Sequence, residues 1–119
     1  MIQLCPSADL VPRKVTRIVK PELPVPLALI KIGELIYCID DTCSHEPTSL
    51  ADGWLENFEV ECPLHESRFD IRTGKPDCPP ARHSIRTHPV AIVDGMICVE
   101  EASVRMDASD DAPVVDAVR

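Results

Sequence analysis

The stretch DTCSHEPTSLADGWLENFEVECPLHESRFDIRTGKPDCPP, Asp41 to Pro80, decides how this chain is read. It holds Cys43-Ser44-His45 and, after sixteen intervening residues, Cys62-Pro63-Leu64-His65. Each pair sets one cysteine beside one histidine, and a glutamate follows each histidine, Glu46 and Glu66. Further on, Pro79-Pro80 marks a rigid loop, because two adjacent prolines cannot join a central strand ladder.

The flanking segments carry strand patterns. Residues 27–40, LALIKIGELIYCID, predict a hairpin turning at Gly33-Glu34. Residues 53–62, GWLENFEVEC, predict a second, turning near Glu56-Asn57. RFDIRTGKP, residues 68–76, reads as a strand ended by Thr73-Gly74. Residues 85–100, IRTHPVAIVDGMICVE, give the cleanest hairpin pattern, centred on Asp94-Gly95. Prolines crowd residues 1–26, which confines strands there to short or edge positions. The fold class expected is all-β: small antiparallel sheets, with both Cys/His pairs on loops between strands. One domain over residues 1–103 is expected, its ligand-bearing part at about 41–82. Residues 104–119 lose the alternation and gain Asp and Ala, the pattern of a loosely packed acidic tail.

A chain of 119 residues with net charge −8 fits one domain and carries no basic footprint for nucleic acid. No apolar run reaches the roughly 18 residues of a membrane span, and the N-terminus lacks the basic-then-apolar order of an export signal. The location expected is cytoplasmic. In a reducing compartment the six cysteines point to metal before disulfides. The two loops offer two thiolates and two imidazoles. A tetrahedral Cys2His2 zinc site is one use of them, although zinc fingers usually pair like with like. Mixed halves suit a binuclear centre, with Cys43 and Cys62 on one iron and His45 and His65 on the other.

C-x-H, sixteen residues, C-x-x-H, with CPLHESRFDIRTGK and a downstream CPP, resembles the Rieske ferredoxins that serve bacterial aromatic-ring-hydroxylating dioxygenases. The resemblance runs from Ile2 to about Glu100. It implies a Rieske fold, one [2Fe-2S] cluster held by Cys43, His45, Cys62 and His65, and a carrier rather than an enzyme. It implies two partners in aromatic hydrocarbon catabolism, an NADH-dependent flavoprotein reductase and a terminal Rieske oxygenase. Respiratory-type relatives add a cysteine to each ligand loop; Thr48 and Leu64 stand at those positions and cannot form that disulfide. Their cluster-bonding Tyr and Ser positions are Phe69 and Ser67. Phe69 has no hydroxyl, so the potential expected is near the lower end of the roughly −150 to +300 mV Rieske range, with Ser67 a departure that raises it slightly.

Leu64, Ser67, Phe69, Pro79 and Pro80 form the expected cluster environment, the two prolines as a covering loop. Glu46 and Glu66 stand where glycine is common and are candidates for tuning or partner docking. Cys5, Cys38 and Cys98 read as core, Cys78 as a packed thiol, His83 and His88 as surface or structural residues, and Trp54 with Phe69 as braces for the ligand loops. Gly53 and Gly74 read as turn residues. Three alternatives stand beside the carrier: a small Rieske subunit of another redox complex such as a nitrite reductase, a zinc interaction module, and an oxygenase. The last lacks both a second domain and a facial triad, since only His83 and His88 remain.

Overall fold

A computed structural model describes residues 1–42, 49–62, 68–76 and 84–105. Within them the chain forms β1 (Ile2–Pro6), β2 (Thr16–Ile18), β3 (Leu27–Ile32), β4 (Leu35–Asp40), β5 (Trp54–Glu56), β6 (Glu59–Glu61), β7 (Arg68–Asp70), β8 (Thr87–His88), β9 (Val90–Val93), β10 (Met96–Val99) and α1 (Glu101–Arg105). Three antiparallel sheets result, in strand orders β1-β10-β9, β2-β3-β4-β8 and β5-β6-β7. The all-β expectation holds, with α1 as the one α-helix among the described residues.

Four consecutive apolar residues, Leu27 to Ile30, are fully buried because β3 has a core on each face. Leu27 and Leu29 join Ile2, Leu4, Ile97, Val99 and Val104 in one core. Ala28 and Ile30 join Ile39, Leu50, Val60, Cys62, Phe69, Ile71 and Ile85 in the other. β4 alternates in step, with Cys38 in the first core and Ile39 in the second. The proline-rich start supplies edge strands only: β1 and β2 each end a sheet, and β1 carries a register shift between Gln3 and Cys5.

The hairpin of residues 27–40 turns at Gly33-Glu34 as expected, with Gly33 at φ 62°. The β9–β10 hairpin closes on Asp94 and Gly95, both at positive φ (52° and 80°), as a two-residue type I′ turn requires. Two expectations shift. The β5–β6 turn is Asn57-Phe58, one residue later, because Asn57 takes the left-handed position at φ 55°. Residues 68–76 form a short strand and a tight return rather than one long strand. The Asp70 carboxylate accepts from Arg72 N, and its carbonyl accepts from Thr73 N and Gly74 N. The chain then doubles back, so Phe69 bridges Pro76. Residues 85–100 also divide: β8 pairs with β4, and after Pro89, which has no N–H, the chain enters the other sheet as β9. Val104 lies buried in the first core, so close packing continues past the domain boundary expected at residue 103.

Candidate metal centre

Asp41 and Thr42 lead from β4 toward the segment that carries Cys43 and His45. Thr42 bridges Ser49 in antiparallel fashion. Asp41 is only 1 % exposed. Its carboxylate accepts from the Ser49 hydroxyl and from Ala51 N at 2.9 Å, and Arg17 Nε lies 3.4 Å away. Its carbonyl accepts from Leu50 N at 2.6 Å. A single 3-10 turn, Leu50–Asp52, follows, and Leu50 points fully into the second core.

The second Cys/His pair lies at the junction of β6 and β7, whose last register pair is Glu61 with Arg68. Cys62 follows β6 directly and is fully buried in the core that holds Leu50, Val60 and Phe69. The third loop begins beyond Pro76 and is gathered at its base by Gly74. Gly74 N donates to Asp70 O at 2.6 Å, and Ile85 N donates to Gly74 O at 2.8 Å. Gly74 sits at φ 81°, and a Cβ there would lie 2.0 Å from the Ile85 carbonyl oxygen, so only glycine fits. This glycine is more than the plain turn residue expected. The stems of all three loops therefore rest on one core.

Cys62 and Phe69 are the predicted site residues inside the described structure, and both lie in that core. Cys43, His45, Glu46, Leu64, His65, Glu66, Ser67, Pro79 and Pro80 fall outside the described residues, as do Thr48, Cys78 and His83. Among the described residues no group of three or more His, Cys, Asp or Glu side chains is placed to hold a metal ion. The donor set the sequence supplies, two cysteines and two histidines, is chemically that of a Rieske centre, and of the four only Cys62 lies among the described residues.

Trp54 departs from its expected role. It is 61 % exposed on the outer face of the β5-β6-β7 sheet, opposite Glu61, and Phe69 alone of the two is a core brace. That outer face is acidic. Arg68 reaches Glu61 at 3.2 Å, Glu56 at 3.8 Å and Glu59 at 3.9 Å, one guanidinium against three carboxylates. Arg72 pairs with Asp70 at 2.8 Å and lies over the Phe58 ring at 4.3 Å. The hydrogen bonds from Arg72 hold the Asp70 carboxyl below its ordinary range.

A second buried network had no sequence signal. His88 Nε2 donates to Asp40 Oδ1 at 2.9 Å, and its Nδ1 lies 2.7 Å from Ser103 Oγ. Arg86 Nε donates to Asp40 Oδ2 at 2.9 Å. Burial pushes the Asp40 carboxyl up, but the hydrogen bonds from His88 and Arg86 outweigh it and hold the group below its ordinary value. His88 is thus structural, one of the two roles expected for it. Cys38 and Cys98 are buried and Cys5 partly so, in keeping with their strand patterns. Burial, helped by the Asp40 charge, pushes the Cys38 thiol up to about 12.

Residues 1–89 match the Rieske [2Fe-2S] domain. The chain is 40% identical over 100 residues to the 3-phenylpropionate/cinnamic acid dioxygenase ferredoxin subunit of Escherichia coli, covering 83% of this chain and 92% of that one. The Sphingomonas yanoikuyae ferredoxin superposes with a TM-score of 0.78 at 29% identity, over 83% of this chain and 96% of that one. A ferredoxin solved in complex with the oxygenase of carbazole 1,9a-dioxygenase gives a TM-score of 0.76 at 29% identity, over 83% of this chain and 100% of that one. With three quarters of its length matched and its loop stems gathered on one core, this chain belongs to the Rieske [2Fe-2S] family.

Proposed function

We propose that this chain is a cytoplasmic one-electron carrier. It takes an electron from an NADH-dependent flavoprotein ferredoxin reductase and delivers it to a terminal aromatic-ring-hydroxylating Rieske oxygenase. One observation carries the reading: the described chain that flanks the C-x-H and C-x-x-H pairs packs into a single core through Leu50, Cys62 and Phe69. The solved pairing of a similar ferredoxin with an oxygenase supports the second partner.

When bound, a [2Fe-2S] cluster supplies a one-electron couple, and the four ligands account for one cluster per chain. Cys43 and Cys62 would hold one iron as thiolates, and His45 and His65 the other as neutral imidazoles. Cys62, packed among Leu50, Val60 and Phe69, excludes water from its thiolate. Phe69 offers no hydroxyl, and Thr48 and Leu64 no disulfide, which assigns the low-potential class. Glu46 and Glu66 are docking candidates for a basic partner surface, and the outer face of β5-β6-β7 adds to the same negative field. Neither nucleic acid nor a membrane is a partner in this reading, and no helix among the described residues is long and apolar enough to cross one.

The test is purification with iron and sulfide, followed by EPR of the reduced protein and electron transfer from a flavoprotein reductase to a dioxygenase oxygenase. A Rieske signal and oxygenase turnover dependent on the chain are expected. A colourless zinc protein, or a midpoint above about +200 mV, would overturn the reading.

A further inference from the structure

We propose that Asp41 is a positioning residue for the metal centre: its buried carboxylate locks together the two ends of the loop that carries Cys43 and His45. The inference rests on the reading of those two residues as ligands. Asp41 enters the loop, and Ser49, Leu50 and Ala51 leave it. Asp41 binds each of the three, through the Ser49 hydroxyl, Leu50 N and Ala51 N. Its own N–H donates to Pro26 O at 3.0 Å, at the start of β3, and Arg17 on β2 supplies the opposite charge. The clamp is thus anchored to the four-stranded sheet through Arg17.

A carboxylate suits this place because it only accepts, and every side-chain and backbone group aimed at it donates. An asparagine would turn its N–H2 either toward the Ser49 hydroxyl and the Arg17 cation, losing the ion pair, or against Ala51 N, leaving that N–H only its longer 3.2 Å bond to Ser49 Oγ. Either rotamer gives up a charge-assisted contact to a buried carboxylate, so the substitution loosens the stem rather than leaving it intact. Leu50 transmits the effect. It packs in the core with Cys62 and Phe69, so the clamp also sets the first loop's stem against the second's. Groups that orient metal ligands from behind typically change metal retention about tenfold or more when removed.

The neighbouring Asp40 provides the control. It is bound as firmly, but to Arg86 and His88, neither of which touches Ser49, Leu50 or Ala51 in these bonds. Cluster-loaded wild type, Asp41→Asn, Ser49→Ala and Asp40→Asn are compared by EPR of the reduced protein, iron content, thermal midpoint and half-time of cluster loss to a chelator. Asp41→Asn is expected to shift or broaden the g values and to shorten the half-time about tenfold. Ser49→Ala is expected to move both in the same direction by less. Asp40→Asn is expected to lower the thermal midpoint while keeping the wild-type signal. Wild-type g values and half-time in Asp41→Asn overturn the inference, as does an equal spectral change in Asp40→Asn at equal thermal loss. If Asp41→Asn does not fold, Ser49→Ala decides by the same two readouts. A wild-type chain with no Rieske signal would instead overturn the ligand assignment on which the inference rests.

Discussion

Replacing Gly74 by alanine is expected to destabilise the chain far more than replacing Gly95, although the two glycines share nearly the same backbone angle, φ 81° and 80°. Placing a Cβ at positive φ costs about 1 kcal/mol by itself. At Gly95 nothing lies within 4 Å of that Cβ, so the backbone cost is the whole effect. At Gly74 the Cβ would lie 2.0 Å from the Ile85 carbonyl oxygen and 3.1 Å from its carbon, both backbone atoms that cannot rotate away. The two segments must part by more than about 1 Å to reach ordinary contact. That movement breaks the Ile85 N–H to Gly74 O hydrogen bond and draws buried Ile85 from its core. A lost buried hydrogen bond costs about 1–2 kcal/mol, and partial exposure of an isoleucine adds about 1 kcal/mol. Gly74→Ala should therefore cost about 3–4 kcal/mol. At about 4 °C per kcal/mol for a domain of this size, that lowers the thermal midpoint by about 12–16 °C, against about 4 °C for Gly95→Ala. Circular dichroism melts of the two cluster-loaded variants make the comparison directly. Midpoints within about 4 °C of each other would refute the steric reasoning.

The pH response should carry the mark of Asp40. Its folded carboxyl lies below the ordinary value of about 3.9, so its contribution is complete above that pH and is lost as pH falls below it. Asp40→Asn should be less stable than wild type near neutrality and lose less on acidification; urea unfolding from pH 3 to 7 measures both, and parallel curves would contradict the assignment. Cys38, with its thiol pushed up to about 12, should escape iodoacetamide at pH 8 until the chain unfolds, and a mass-spectrometric adduct on the native protein would count against that. Phe69→Tyr adds a hydroxyl in a fully buried site next to the second ligand loop. A hydroxyl donating to the cluster should raise the midpoint potential; if it finds no partner the cost is about 1–3 kcal/mol of stability. A redox titration showing a fall in potential would argue against the position assigned to Phe69.

Much of the fold was legible because its instructions are local. Gly33-Glu34 and Asp94-Gly95 are two-residue turns between apolar runs, and both formed as written. The Cys/His pairs stand out in the sequence for the same reason, each lying within four residues of chain, and of the four residues only Cys62 falls among the described ones. What failed to show was non-local or side-chain driven. Asp70 captures three following N–H groups and bends a segment whose composition looks extended. Pro89 moves the chain between sheets inside what reads as one hairpin. Trp54 looks like a core residue by type but stands on the wet face of β5, because the alternation puts Leu55 inward. The Asp40, Arg86, His88 and Ser103 network joins positions as far as 48 residues apart with no periodicity to announce it.

The hairpin of β3 and β4 is a shared wall, with one core on each side. Denaturant that strips the core beneath the ligand loops must also bare Leu27 and Leu29 to the other, so neither half can melt alone without exposing β3. The core that holds Cys62 and the core that holds Val104 thus form one cooperative unit, and loss of either is a loss of both.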